Sequence, residues 1–358
     1  MRIKLSLLFL FFIQLVSFGQ TEQLKNYDYL CELFNTTYAS FEEKGIDWPA
    51  RCTEYRSKIT AYTTDSELFT IMADLLRPLN DGHTSLRAKN IDSAISASRP
   101  SRIMKEIQHI EGKQRRPMVN SMIEKTLEGQ GFEPIKELGP EYNENKLFRY
   151  TKNERIGYLQ FYRSFSKRLW MNGISLKSQL NQIFNYIGDV DAIIIDIRFN
   201  RGGDDGFSQK IAGRFIEEKQ IGFYKQTRKN SEFGPLKSKM IKPLGKNPFL
   251  KPVVLLTNDR TVSAADVLAL MLSELPNATL IGEPSNGSYS DLKNAKLPNG
   301  WRVTLSHQRY LSLDKNNYEG VGTPVDIEVK NTIVDVQKKE DSVLLSAFEY
   351  LKKEKQIF

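Results

Sequence analysis

Three short apolar runs constrain the fold of this chain most strongly. Each is short enough to be a strand that is buried on both faces, and amphipathic helical patterns lie between them. Strands that alternate with helices in this way predict a layered α/β core. The runs are IGYLQF (156–161), AIIIDIR (192–198) and PVVLLTN (252–258).

The rest of the chain is predicted from the spacing of its apolar residues. Three- and four-residue spacing predicts an N-terminal helical domain over 20–90, and the same pattern predicts a C-terminal helix over 334–358. Residues 91–150 are polar, basic and weakly periodic, which indicates an irregular connecting segment. The α/β core is expected over 151–333. Within it, WRVTLSHQRYLSL (301–313) alternates as one long strand.

The first residues of the chain form a separate unit. A basic start is followed by the apolar run Leu5–Val16, and the small residues Ser17 and Gly19 come next. This pattern predicts a secretory signal peptide over 1–19, so the mature protein is expected to be secreted or periplasmic. An uncleaved membrane anchor is the alternative, but the run is shorter than the ~20 residues that a span needs.

Export leaves two states open for the cysteines. Cys31 and Cys52 are the only cysteines, and both lie in the N-terminal helical region. An oxidising compartment permits a disulfide between them, while two buried thiols are an equal alternative. With only three histidines scattered along the chain, no spacing typical of metal ligands occurs, and we expect neither a metal nor another cofactor.

The net charge of +8 suggests an acidic partner at first sight. However, the 51 basic residues are scattered among 43 acidic ones, and the tight basic runs are short (112–116 and 224–229). These runs are typical of solvated surfaces, so no nucleic-acid partner is expected. Nor is a stable membrane span expected once the signal peptide is removed.

The stretch TVSAADVLAL (261–270) places Ser263 between a buried strand and an apolar helix. A serine at such a junction is most often the helix N-cap. It could instead be a nucleophile, because the end of a strand is exposed and a helix N-terminus favours negative charge. In that case the backbone N–H of Ala264 would point towards an oxyanion.

Three further segments carry residues that could complete such a site. DIRFNRGGDDG contains Gly202 and Gly203 in a turn after a strand, where the backbone can approach a ligand closely. LNDGHTSLR contains His83, and YEGVGTPVDIEV contains Glu319 in a loop between glycines. The other histidines, His109 and His307, lie in a weakly patterned segment and inside a predicted strand.

Taken together, these segments resemble the tail-specific, or C-terminal processing, protease family of serine peptidases. The resemblance runs from about residue 155 to 329 through DIRFNRGG, TVSAADV, IGEPSNG, LPNG and GVGTPVD, with DGHTSL as an outlying match. It implies a crotonase-like fold, a stacked ββα superhelix, here with an N-terminal helical bundle. Many members carry a PDZ domain after the helical region, but no PDZ pattern is readable in this chain.

The resemblance also indicates which residue takes the proton of Ser263. Many family members use a lysine, and Ser288 stands at that position here, while Lys293 is nearby but out of register. Tricorn-like relatives use a histidine and a glutamate, which implies that His83 is the base and that Glu319 lies behind it. These relatives also have a serine before the histidine, where this chain has Gly82.

The predicted function is therefore that of an exported serine endopeptidase acting on peptides or unfolded proteins. The nucleophile is Ser263, and the oxyanion donors are the N–H of Ala264 and that of either Gly202 or Gly203. The alternative is a non-catalytic member of the fold that binds a hydrophobic ligand or a peptide. An acyl-CoA enzyme of the crotonase type is a third possibility, but TVSAADV and GVGTPVD point away from it.

Overall fold

The computed structural model describes residues 21–142, 145–165, 175–245 and 247–357. The predicted signal peptide lies outside these ranges and stays a prediction. Within them, no helix combines the length and the apolar character that crossing a membrane requires.

Helices and strands alternate along most of the described chain. The helices are α1 (Glu22–Thr37), α2 (Trp48–Arg56), α3 (Asp65–Leu76), α4 (Arg102–Glu106), α5 (Gly112–Gly129), α6 (Leu176–Ile187), α7 (Asp205–Ala212), α8 (Ala264–Leu272), α9 (Ile333–Lys338) and α10 (Ser342–Lys355). The strands are β1 (Ser85–Ala88), β2 (Ser93–Ser96), β3 (Lys136–Tyr142), β4 (Asn145–Lys152), β5 (Ile156–Phe161), β6 (Ala192–Asp196), β7 (Gln220–Lys229), β8 (Glu232–Phe233), β9 (Lys237–Ile241), β10 (Val253–Thr257), β11 (Ala278–Gly282), β12 (Leu292–Lys296), β13 (Arg302–Ser306), β14 (Gln308–Leu311) and β15 (Ile327–Glu328).

A seven-stranded sheet in the order β15-β11-β10-β6-β5-β4-β3 forms the centre of the molecule. The three apolar runs are its neighbouring strands β5, β6 and β10, which pair in parallel and are buried throughout, as the sequence predicts. Successive side chains in a strand face opposite sides. Ile193 and Ile195 accordingly pack on α6, α7 and α8, whereas Ala192 and Ile194 pack on α5 and α10.

Residues 91–150 are more regular than the sequence indicates. They contain α4 and α5, and β3 and β4 join the central sheet at its antiparallel edge. In α5 the side chains of Val119, Met122, Ile123 and Leu127 are buried at helical spacing. The first turns of that helix are polar and contain Pro117, so the apolar spacing is limited to the second half of the helix.

The predicted long strand over 301–313 is divided at His307. Its first half, β13, pairs with β12 and β1, and its second half, β14, pairs with β7 in another sheet. The chain therefore changes sheets at this point. The pairing of β13 with β1 has a consequence for function, because β1 begins two residues after His83 and ties it to the core.

The N-terminal helices share a separate apolar cluster that includes Phe34, Tyr38 and Trp48. A disulfide joins α1 to α2: Cys31 and Cys52 are bonded, with their Cα atoms 6.1 Å apart. Of the two states left open by the sequence, the structure therefore has the bridged one.

Removing this bridge should lower the stability of the protein. The disulfide links residues that are 21 positions apart, and it stabilises the protein because it restricts the unfolded chain. For Cys31→Ala/Cys52→Ala we therefore expect the free energy of unfolding to fall by about 3 kcal/mol. Urea unfolding without reductant measures this loss. Reduction of the wild type should shift its midpoint towards that of the variant, and equal midpoints for oxidised wild type and variant would contradict the bridge.

Candidate active site

Ser263 occupies a strained turn between β10 and α8. Its backbone has φ 62° and ψ −125°, a region that residues other than glycine rarely adopt. An ordinary N-cap residue has extended backbone instead. The Ser263 Oγ lies 3.2 Å from Nε2 of His83, within hydrogen-bonding distance. The serine thus precedes the helix, but its side chain faces an imidazole.

The backbone of His83 is held from both sides. The carboxylate of Asp81 accepts the His83 N–H at 2.8 Å and the Thr84 hydroxyl at 3.0 Å. The hydroxyl of Thr304 on β13 donates to the His83 carbonyl at 2.7 Å. These bonds and the β1–β13 pairing bring together two side chains that are 180 residues apart in sequence.

The buried environment of His83 favours a neutral imidazole. Burial lowers its pKa below the usual value; the charges of Asp81 and Asp291 oppose this effect, and that of Lys44 adds to it. A neutral ring can take a proton at Nε2 when its other nitrogen carries the hydrogen. That other nitrogen, Nδ1, is buried and makes no hydrogen bond to any residue that the structure describes.

The glycine turn lies directly against Ser263. Gly202 has φ 69°, and a Cβ at this position would lie 2.5 Å from the Ser263 Cβ, so only glycine allows the approach. The Gly202 N–H donates to Asn200 Oδ1 at 2.8 Å and is therefore engaged. In the described part of the chain, the N–H groups of Gly203 and Ala264 have no such acceptor. Of the two glycines predicted, Gly203 is thus the one with a free donor.

Glu319 is buried near the site, but it does not bond to the His83 ring. Its Oε2 accepts the Tyr289 N–H at 3.0 Å, and its Oε1 lies 3.5 Å from Nζ of Lys44. Burial and the charge of Asp81 raise the pKa of Glu319 to about 8, and Lys44 partly opposes this. The predicted contact between Glu319 and His83 is therefore absent, because Tyr289 and Lys44 hold the carboxyl group instead.

Lys293, the alternative base, is not brought to Ser263. On β12 its neighbour Leu292 lines the cavity in front of the serine, and successive side chains of a strand face opposite sides. The Lys293 Nζ lies 3.4 Å from the hydroxyl of Thr37 on α1. Ser288, at the position where many relatives have lysine, donates to Asn286 Oδ1 at 2.7 Å.

Asp266 holds the serine turn, and the sequence prediction missed it. Its fully buried carboxylate accepts the N–H groups of Ser263 at 2.7 Å, Gly287 at 2.9 Å and Ser288 at 3.1 Å. Burial raises its pKa to about 6. The spacing S-x-x-D in SAAD is that of a capping box and could have identified this residue. Lys44, which reaches the site from the loop after α1, has no comparable motif.

A cavity of about 270 Å³ opens in front of these groups, and Ser263, His83, Gly203 and Gly82 line it. Within the described ranges, no group of three or more histidine, cysteine or acidic side chains could hold a metal ion. A serine hydroxyl beside a neutral imidazole, with two unused backbone N–H groups next to it, is the arrangement of a serine hydrolase.

Comparison with known sequences agrees with this class. The model of peptidase family S41 matches residues 155–329, and that of the tricorn protease C1 domain matches residues 20–77. The chain belongs to peptidase family S41, a family of serine peptidases. The first match contains Ser263, the glycine turn and Glu319, whereas His83 lies between the two matched ranges.

Two curated relatives are carboxy-terminal processing proteases. That of Bartonella bacilliformis is 24% identical over 201 residues, which make up 56% of this chain and 44% of the relative. CtpA of Bacillus subtilis is 28% identical over 121 residues, 34% of this chain and 25% of the relative. The matches thus span less than half the length of either relative.

Solved structures show the same fold. A protein from Parabacteroides merdae has a TM-score of 0.76 at 23% identity, over 94% of this chain and 100% of that one. Mature CPAF has a TM-score of 0.66 at 13% identity, over 92% of this chain and 96% of its own. The tricorn protease has a TM-score of 0.54 at 16% identity, over 93% of this chain but 37% of its own. The mixed α/β architecture with its N-terminal helical region is therefore that of S41 peptidases.

Proposed function

We propose that this chain is an exported serine endopeptidase that cleaves peptide bonds in peptides or unfolded proteins. The observation that carries the proposal is the 3.2 Å contact between Ser263 Oγ and His83 Nε2 beside the free N–H groups of Gly203 and Ala264. Membership of the S41 family supports the choice of peptide bonds as substrate. Export rests on the signal-peptide pattern of the sequence, and the crotonase-like superhelix rests on the resemblance and on the parallel strands β5, β6, β10 and β11.

The geometry supports a two-step acyl transfer. The Ser263 Oγ attacks the carbonyl carbon of the peptide while His83 Nε2 takes its proton. The negative charge that develops on the carbonyl oxygen is stabilised by the N–H groups of Gly203 and Ala264. The imidazolium then gives the proton to the leaving amine. Water, deprotonated by the same imidazole, hydrolyses the acyl-enzyme and regenerates Ser263.

In this proposal Glu319 stabilises the imidazolium. Asp81 raises the pKa of both His83 and Glu319, so the three groups share one buried electrostatic environment. A positive ring favours the ionised carboxylate. Because Glu319 does not touch the ring, we expect its replacement by glutamine to lower the rate less than replacement of His83 does.

Digestion of an unfolded protein tests the proposed activity. The purified mature chain is incubated with a reduced and alkylated protein, and new peptide ends are identified by mass spectrometry. We expect internal cleavage by the wild type and none by Ser263→Ala. If the wild type binds the unfolded protein without cleaving it, the non-catalytic alternative is supported instead.

The pH dependence of hydrolysis should reflect His83. Because burial lowers its pKa, the ring stays neutral below the usual value of about 6.5 for histidine. Protonation removes the base, so kcat/KM should be independent of pH just below 6.5 and should fall at more acidic pH. A pH profile of kcat/KM measures this. Loss of activity above pH 6.5 that is also seen in Glu319→Gln would contradict the lowered pKa of His83, because that variant lacks the Glu319 carboxyl group with its pKa of about 8.

A further inference from the structure

The cavity in front of Ser263 is rich in arginine. Of the residues that the structure describes along its walls, none is acidic. A second cavity, of about 340 Å³, adjoins it and likewise has no acidic residue among those described. Arg201 and Arg260 line both cavities; Arg99 and Arg163 line only the first, and Arg115 and Arg116 only the second.

No carboxylate in the described chain pairs directly with Arg201 or Arg260. In the described chain, neither guanidinium forms an ion pair or a hydrogen bond. Arg260 is half-buried, and its pKa is lowered first by burial and then by the positive charge of Arg201, while the charge of Asp259 opposes this effect. The neighbouring carboxylate of Asp259 is occupied by the Ser101 hydroxyl at 3.0 Å and the Arg102 N–H. Two adjacent cations, one of them partly desolvated, favour the binding of an anion.

The backbone positions of the two arginines are fixed relative to the reacting groups. Arg201 directly precedes the glycine turn, and Arg260 lies three residues before Ser263. The two loops are tied together, because the Asn200 carbonyl accepts the Val262 N–H at 2.9 Å. Because both side chains line the cavity that contains Ser263, an anion bound by their guanidinium groups would lie close to the bond that Ser263 attacks.

The walls of the second cavity indicate which kind of molecule the bound anion belongs to. Beyond the arginines they are largely apolar, with side chains that include Met104, Ile107, Val119, Tyr162 and Phe199. An apolar surface with guanidinium groups at the junction to the catalytic cavity suits a peptide that presents an apolar side chain next to a carboxylate. Arginine binds carboxylates through two parallel hydrogen bonds, which provide geometric selection as well as attraction.

We propose that Arg201 and Arg260 form a carboxylate-binding subsite that selects substrates with a negative charge close to the cleaved bond. This inference rests on the proposed peptidase function. The carboxylate can belong to an aspartate or glutamate side chain or to the C-terminus of the peptide. Both sources have the same chemistry and are distinguished by experiment.

Matched peptide libraries test the subsite. One library carries glutamate at positions flanking a randomised segment, and a second carries glutamine there, each made with free and with amidated C-termini. For the wild type we expect kcat/KM to favour a carboxylate by about ten-fold or more, and this preference should weaken as salt is added. In Arg201→Gln/Arg260→Gln, the preference should fall to within about two-fold.

Charge reversal and a matched control sharpen the test. Arg201 is exposed, so Arg201→Glu should fold, and it should shift the preference from glutamate towards lysine at the same positions. Arg302 is exposed and lines neither cavity, so Arg302→Gln removes the same charge and should keep the wild-type preference. If the preference in kcat/KM requires only a free C-terminus, the terminal carboxylate is the ligand. If it requires only glutamate, an acidic side chain of the substrate is the ligand.

Binding to Ser263→Ala separates this inference from the proposed function. The same peptides, carrying a fluorophore, are titrated with this variant and with Ser263→Ala/Arg201→Gln/Arg260→Gln. Binding that favours carboxylate and is lost with the arginines supports the subsite even if the wild type cleaves nothing. Cleavage and binding that are equal for glutamate and glutamine, with free and amidated ends, would overturn the subsite and leave the peptidase proposal intact.

Discussion

Ser263→Ala should abolish peptide hydrolysis, lowering kcat by on the order of 10⁴-fold or more, and His83→Ala should do the same. A serine hydroxyl is a weak nucleophile at neutral pH, and His83 Nε2 is the base within reach of its oxygen. Because the two residues act as one unit, the double variant should be little slower than either single variant. Steady-state kinetics on one peptide substrate measures all three.

Lys293→Ala is the matched control for the identity of the base. Its ammonium group lies beside Thr37 and away from the cavity, so its removal should leave kcat close to that of the wild type. The opposite outcome, in which His83→Ala retains activity and Lys293→Ala loses it, would mean that the site is a displaced Ser–Lys pair.

Asp266→Asn should lower kcat/KM by about 10²-fold, although the side chain does not enter the cavity. The substitution keeps the size of the side chain but replaces one oxygen by an NH₂ group. At least one of the three backbone N–H groups from Ser263, Gly287 and Ser288 then faces a donor. The turn of Ser263 is strained and depends on these bonds, so the Oγ should move out of alignment with His83.

The difference in stability between the wild type and Asp266→Asn should depend on pH. Burial raises the pKa of Asp266 from 3.8 to about 6 in the folded protein. Between these two pH values the unfolded chain loses the proton while the folded protein keeps it. The wild type is therefore more stable below pH 3.8, and it loses this contribution as the pH rises through about 6. Asparagine does not titrate. The variant's deficit in unfolding free energy should therefore be larger at pH 4 than at pH 7, as measured by urea unfolding.

Asp335→Asn provides the control for a lost helix cap. Asp335 has the same position in the first turn of α9 and accepts the Thr332 N–H at 2.6 Å, but it lines neither cavity. Its replacement should cost about 1 kcal/mol of unfolding free energy and leave kcat unchanged. If Asp266→Asn behaves like this control, Asp266 is only a helix cap and does not align the serine.

The sequence was most informative where local pattern determines structure. The short apolar runs predicted strands buried on both faces, and Ser263 and His83 stand in short motifs that are recognisable without the fold. The helix α5 was missed because its apolar positions follow a polar first half with Pro117. The division of the strand at His307 depends on two separate sheets, which alternation within one segment does not show.

The finer geometry of the site depends on contacts between distant segments. The side chain of Asn200 decides that Gly203, and not Gly202, has a free N–H. Lys44 approaches Glu319 from 275 residues away in sequence, at a position with no motif of its own. Such pairings follow from the packing of the helical region on the core, and no local spacing predicts them.

Covalent labelling with a serine-directed fluorophosphonate tests the central claim most directly. The probe reacts only with a serine whose proton is taken by a neighbouring base, and mass spectrometry locates the adduct. We predict an adduct on Ser263 of the folded wild type, equally rapid labelling of Lys293→Ala and severely slowed labelling of His83→Ala. A wild-type Ser263 that stays unmodified, or that is labelled at the same rate when His83 is replaced, would contradict the Ser263–His83 site.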